Sequence, residues 1–243
     1  MKLMVIVLCL LSERYMLHAI SFQRFAWFGI YFLSIKKYTD QNNFFTNPWI
    51  ILAATIVPLV AITAFVYFIF HNILFGIMGF FLNLFIFLYC LGPQNIFYPV
   101  AVSDDSAAEY FAQANSQLFA VIFWYIIGGP IVLLAYRLIT LCKNIDSIST
   151  QATQISNILE WLPARITSIM YLVVGNFQRA IPAFIQLFMS HPELNDNLLS
   201  QCGLLAVRNE EGTVPLSAAE ILVEHATFVL LVLIALFTLV AWL

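Results

Sequence analysis

The chain has 243 residues, 62% of them hydrophobic and only 9% charged, with a formal net charge of −3. Soluble domains carry roughly 25% charged residues, so a free-standing aqueous domain is excluded; with no basic cluster, so is a nucleic-acid partner. The composition is that of an all-α, polytopic integral membrane protein whose first partner is membrane lipid, with four to five spans expected.

Taken from the start, Lys2 before an apolar run resembles a secretory signal, but Ser12-Glu13-Arg14 follows without a small-residue cleavage site, so a retained helix is expected. Residues 3–35 are apolar at most positions yet include Glu13, Arg14, His18, Gln23 and Arg24. That is too many polar groups for a span, and an interfacial or partly buried amphipathic helix is expected over residues 1–47. Lys36-Lys37 mark a cytoplasmic edge and Asn47-Pro48 turns the chain.

Ile50 to Phe70 carries no charge and is long enough to cross a ~30 Å hydrocarbon layer, with Pro58 predicting a kink. His71-Asn72 then breaks the pattern before Ile73 to Leu91, so residues 48–91 read as a helical hairpin. Asn83, inside the second arm, is expected to make an interhelical hydrogen bond. Ser106-Ala107-Ala108-Glu109 is a capping-box pattern, repeated at Ser217-Ala218-Ala219-Glu220 before the last span, 217–243.

The central region, 92–189, contains an apolar run from Leu118 to Tyr136 interrupted by Gly128-Gly129-Pro130 and followed by Arg137. Either the run crosses once, or the Gly-Gly-Pro is the tip of a re-entrant hairpin, which would keep Arg137, Lys143 and Arg165 on the cytoplasmic side. Ile145 to Leu159 shows helical periodicity with an uncharged polar face. A turn is expected at Trp161-Leu162-Pro163, and a span bent at Pro182, or a shorter span and an interfacial turn, over Ile166 to Met189. Residues 190–216 read as a polar, soluble loop with a short helical patch at Leu198 to Val207. The whole is read as one membrane domain.

No phosphate-binding, dinucleotide-binding, zinc-protease or serine-hydrolase motif is present, and the four histidines and four cysteines are scattered. No catalytic residue, metal ligand or cofactor is assigned. The polar constellation open to a ligand is Glu13, Arg14 and His18, Arg137 beside Gly128-Gly129, and Glu160 with Arg165. Converging guanidinium groups suit a phosphate or carboxylate. Helix-end snorkelling and a Glu160–Arg165 pair that fixes the turn are the competing structural reading.

Phe123-Trp124, Gly128-Gly129, Ala135-Tyr136-Arg137, Leu159 through Arg165, Ala226-Thr227-Phe228 and the early Glu13-Arg14-Tyr15 resemble the AmpE family of bacterial inner-membrane proteins. The resemblance implies a multi-pass inner-membrane protein that modulates β-lactamase induction in connection with cell-wall recycling. An anionic envelope metabolite or a protein partner would be what it binds. AmpE is in turn similar to adenosylcobinamide-phosphate synthase, an ATP- and magnesium-dependent membrane enzyme, and the alternatives are such an amide synthase or a structural membrane subunit. The polar positions of the synthase pattern, its carboxylates among them, fall here on Ala112, Gln113, Ser116, Gln117, Thr140 and Lys143. Magnesium prefers hard, usually carboxylate, oxygen ligands, so the resemblance implies a retained pocket frame without that chemistry.

Overall fold

A computed structural model describes residues 2–15, 25–40, 47–70, 76–91, 96–97, 106–207 and 214–240. His18 and the His71-Asn72 break lie outside the described residues. The protein is 90% helix with no strands among the described residues. Among the described residues three helical runs are long and apolar enough to cross a membrane, Pro48–Phe70, Ala107–Cys142 and Leu216–Val240, and Ile77–Cys90 is a shorter apolar helix. The contacts group into two compact units, residues 1–93 with 124–156, and residues 94–123 with 157–243.

The first unit begins with α1 (Lys2–Tyr15) and α2 (Ala26–Asp40). The described residues of the N-terminal stretch thus include two helices, the first of them partly buried. α1 buries Val5, Ile6, Cys9, Leu10 and Glu13 and packs on α4 (Ile77–Cys90). It is a packing element because its apolar residues meet protein on one side. α3 (Pro48–Phe70) continues through Pro58 and receives α2 through the Tyr31 hydroxyl, which donates to the Thr55 carbonyl at 3.2 Å. Asn83 joins three helices: its Nδ2 donates to the Tyr67 hydroxyl at 3.1 Å, and its Oδ1 accepts from Tyr125 at 3.3 Å. In an apolar unit such a bond satisfies groups that lipid cannot.

Tyr125 belongs to α6 (Ala120–Cys142), which runs through Gly128-Gly129-Pro130 with a single non-helical residue, Gly129 at φ 72°, ψ −166°. The expected interruption is therefore a one-residue kink. A straight run from Ala107 to Cys142 would measure about 54 Å at 1.5 Å per residue, well beyond a hydrocarbon core of about 30 Å. Pro130 has no N–H, so the carbonyl four residues back, on Ile126, loses its helical partner. The Lys2 ammonium donates to that carbonyl at 2.7 Å.

In the second unit, α5 (Ser106–Ala114) starts where the capping pattern places it and passes into a π-helical turn, Asn115–Phe119. The extra residue of a π turn rotates the chain, and Asn115, Gln117, Leu118 and Phe119 are all buried. α7 (Ser149–Val174) starts in the first unit and continues in the second without a turn at Pro163. The bend expected at Pro182 falls instead at Gly175-Asn176. Asn176 N–H donates to the Ala206 carbonyl at 2.8 Å, its side chain caps α8 (Phe177–Leu187), and Pro182 lies inside that helix. A Cβ on Gly175 would sit 2.6 Å from the Ala206 carbonyl oxygen, so this close approach requires glycine.

The largest departure from the sequence reading is the 190–216 segment. Its helical patch, expected at Leu198 to Val207, is α9 (Asn195–Val207), whose Leu198, Leu199, Cys202, Gly203 and Ala206 are buried. α9 packs against α5 and α8 and is core, not a solvated loop. α10 (Leu216–Val240) packs on α5 and α9. Its first turn is closed on the Pro215 carbonyl, which places Ser217 inside the helix and not at its cap.

Candidate functional site

The sequence-predicted site residues divide between the two units. Gly128, Gly129, Arg14 and Arg137 lie in the first, and Glu160 and Arg165 in the second. Arg14 is exposed on the last turn of α1. Arg137 is buried, and its Nε donates to the Cys90 carbonyl at 2.6 Å. Cys90 is the last residue of α4, so the cation meets the negative end of that helix dipole. Thr140 donates to the Arg137 carbonyl at 2.8 Å, steadying the same turn.

Arg165 is 2% exposed, and the structure accounts for its donors one by one. Nε donates to the Phe188 carbonyl at 3.1 Å; Nη1 to the Trp161 carbonyl at 3.0 Å and to Asn195 Oδ1; Nη2 to the Ser190 carbonyl at 3.0 Å and its hydroxyl at 3.3 Å. A guanidinium has five N–H donors, and all are taken by protein. The charge also sits 4.3 Å from the centre of the Trp161 ring. Burial lowers the guanidinium from its ordinary pKa.

Helical spacing builds this arrangement. Asn157, Trp161 and Arg165 recur four residues apart, on one face of α7. Each reaches the connection between α8 and α9: the Asn157 carbonyl accepts from Asn195 Nδ2 at 2.8 Å, and Trp161 Nε1 donates to the Ser190 carbonyl at 3.2 Å. The Trp-Leu-Pro-Ala-Arg motif is thus a clamp on the 188–195 segment. The expected Trp-Leu-Pro turn is absent because the chain stays helical and uses the i, i+4 spacing to present both side chains together. Glu160 is buried on the same helix.

Farther along α7, Thr167 donates to Asn115 Oδ1 in the π turn at 2.8 Å, and Tyr171 donates to the Phe111 carbonyl at 3.4 Å. Asn115 Nδ2 and Gln117 Oε1 are buried with no hydrogen-bond partner among the described residues. Cys202 is buried beside Ser168, and burial pushes its thiol up to about 11. Sequence reading missed Asn115 and Asn195. Both partners are distant in the chain, and the only local signal, an asparagine opening the π turn and another opening α9, is common at helix starts. Among the described residues no group of three or more His, Cys, Asp or Glu side chains is placed to hold a metal ion.

Spans, a kinked central helix and buried arginines held by main-chain carbonyls define a helical membrane protein. The model of the family described as regulatory signalling modulator protein AmpE matches residues 111–243, from α5 through α10 and including both the kink and the clamp. The chain belongs to the AmpE family, and its role is regulatory signalling in a membrane. Comparison with curated proteins and with solved structures finds no match.

Proposed function

We propose that the chain is a multi-pass modulator of β-lactamase induction in the bacterial inner membrane, and that it acts by binding an anionic envelope metabolite. The family match over residues 111–243 carries this reading. Within it, the two arginines have different tasks. Arg165 has all its donors committed to protein, so it maintains the clamp of the second unit. Arg137 is the anion contact: it is a buried guanidinium whose Nε donates to the Cys90 carbonyl, in the unit that holds the Gly128-Gly129 kink. Arg14 and, from sequence, His18 are the further cationic groups of this reading.

The test is β-lactamase induction in cells whose own copy is deleted and replaced by variants. Arg137→Ala changes the induction response several-fold at unchanged membrane abundance, and Arg137→Lys, which keeps a charge but not the planar fork, is intermediate. Normal induction by Arg137→Ala at normal abundance would overturn the assignment.

A further inference from the structure

We propose that the first unit carries a binding site for one anionic glycerophospholipid, with Lys36 and Lys37 holding the phosphate and an acyl chain ending in a cavity between α2, α3, α4 and α6. The inference stands on the first unit alone and is independent of the regulatory reading. The cavity is about 190 Å³, lined by Trp27, Leu59, Thr63, Ile86, Tyr89 and Leu138 among others. Apolar cavities of about 150 Å³ stay dry and take up small hydrocarbons. The polar atoms on its wall are already matched: the Trp27 indole N–H donates to the Tyr89 hydroxyl, and Thr63 donates to the Leu59 carbonyl at 2.9 Å. Nothing there asks for water, and a hydrocarbon chain suits such a wall.

Depth and charge identify the occupant. α2 and α3 run antiparallel, since Tyr31 meets Thr55 while Trp27 lines the cavity with Leu59 and Thr63. From Trp27 to Lys37 along α2 is about 15 Å, and from Pro48 to Leu59 along α3 about 16 Å, at 1.5 Å per residue. Both are close to half of a ~30 Å hydrocarbon core, the depth reached by one acyl chain whose headgroup lies at the lysines. Trp27, Ile30, Leu33 and Lys37 fall on one face of α2, with Ile30 71% and Leu33 65% exposed, so an apolar strip joins the lysine to the cavity. Lys36 and Lys37 are both exposed. Two ammonium groups at the head of that strip complement a phosphodiester and discriminate against a zwitterionic headgroup.

The test is quenching of tryptophan fluorescence by lipids brominated on the acyl chain, in bilayers containing the full-length protein. The Trp27 component is read as the difference between wild type and Trp27→Phe. Brominated phosphatidylglycerol is expected to quench it at about tenfold lower mole fraction than brominated phosphatidylcholine. Lys36→Gln/Lys37→Gln, at exposed positions, should abolish the preference, and Thr63→Phe, which fills the cavity, should reduce quenching by both lipids. Millimolar inorganic phosphate should not reverse it. Equal quenching by the two lipids in wild type, a preference that survives loss of both lysines, or reversal by free phosphate would each overturn the site. Should Thr63→Phe fail to fold, the lysine variant and the two-lipid comparison still decide.

Discussion

Replacing Arg165 with Ala is the most direct probe of how the second unit is held. The change removes all five guanidinium donors at once. The Ser190 carbonyl keeps its bond from Trp161 Nε1, whereas the Phe188 carbonyl and Asn195 Oδ1 lose the donor the guanidinium gave them. Each buried acceptor left bare costs about 1–3 kcal/mol, and the lost contact with the Trp161 face adds about 0.5–2 kcal/mol. The expected loss is therefore about 2.5–8 kcal/mol, large against total stabilities of about 5–15 kcal/mol. Equilibrium unfolding of the purified protein in detergent would measure it, and hydrogen exchange should show the opening concentrated between α8 and α9. Arg165→Lys, with a point charge in place of the fork, should lose about half as much. A Ala variant within about 1 kcal/mol of wild type would refute the clamp. So would full stability combined with lost signalling, which would make Arg165 a ligand contact after all.

Three further outcomes follow from the geometry. Lys2→Met leaves the Ile126 carbonyl beside Pro130 without its donor and should cost about 1 kcal/mol in the same unfolding assay. A Cβ on Gly203 would run into the Phe111 ring, so Gly203→Ala should destabilise by about 1–3 kcal/mol, and a neutral result would mean α5 and α9 are not so closely packed. Burial raises the Cys202 thiol from 9.0 to about 11, so the folded state favours the protonated form. The stabilisation is full below pH 9 and is lost as pH rises towards 11. Thiol labelling at pH 8 should therefore be slow until the protein unfolds, and rapid labelling of the folded protein would contradict the buried placement.

Composition and charge-free runs were enough to establish an all-helical membrane protein, because a span needs only length and apolarity. They located α3, the shorter α4 and α10, as well as the interhelical role of Asn83. The motif around Trp161 and Arg165 was visible as residues but not as a clamp. Its meaning depends on α9, whose helical stretch was legible from Leu198 to Val207 but whose burial was not, because its polar composition resembles that of a loop. Asn195 and Asp196 open it, yet its other face buries Leu198, Leu199 and Cys202.

Local pattern reports what a segment prefers in isolation. Whether a mixed segment meets water or protein is set by partners distant in the chain, as where Gly203 admits Phe111 and Ala206 seats Gly175. The same limit applies to charge. The sequence showed that costly guanidinium groups lie among apolar residues, and only tertiary structure decided that Arg165 gives all its hydrogen bonds to the protein itself. The physical reason is that a buried cation takes the nearest available acceptors, and these carbonyls are freed by chain breaks between α8 and α9 that no local periodicity encodes.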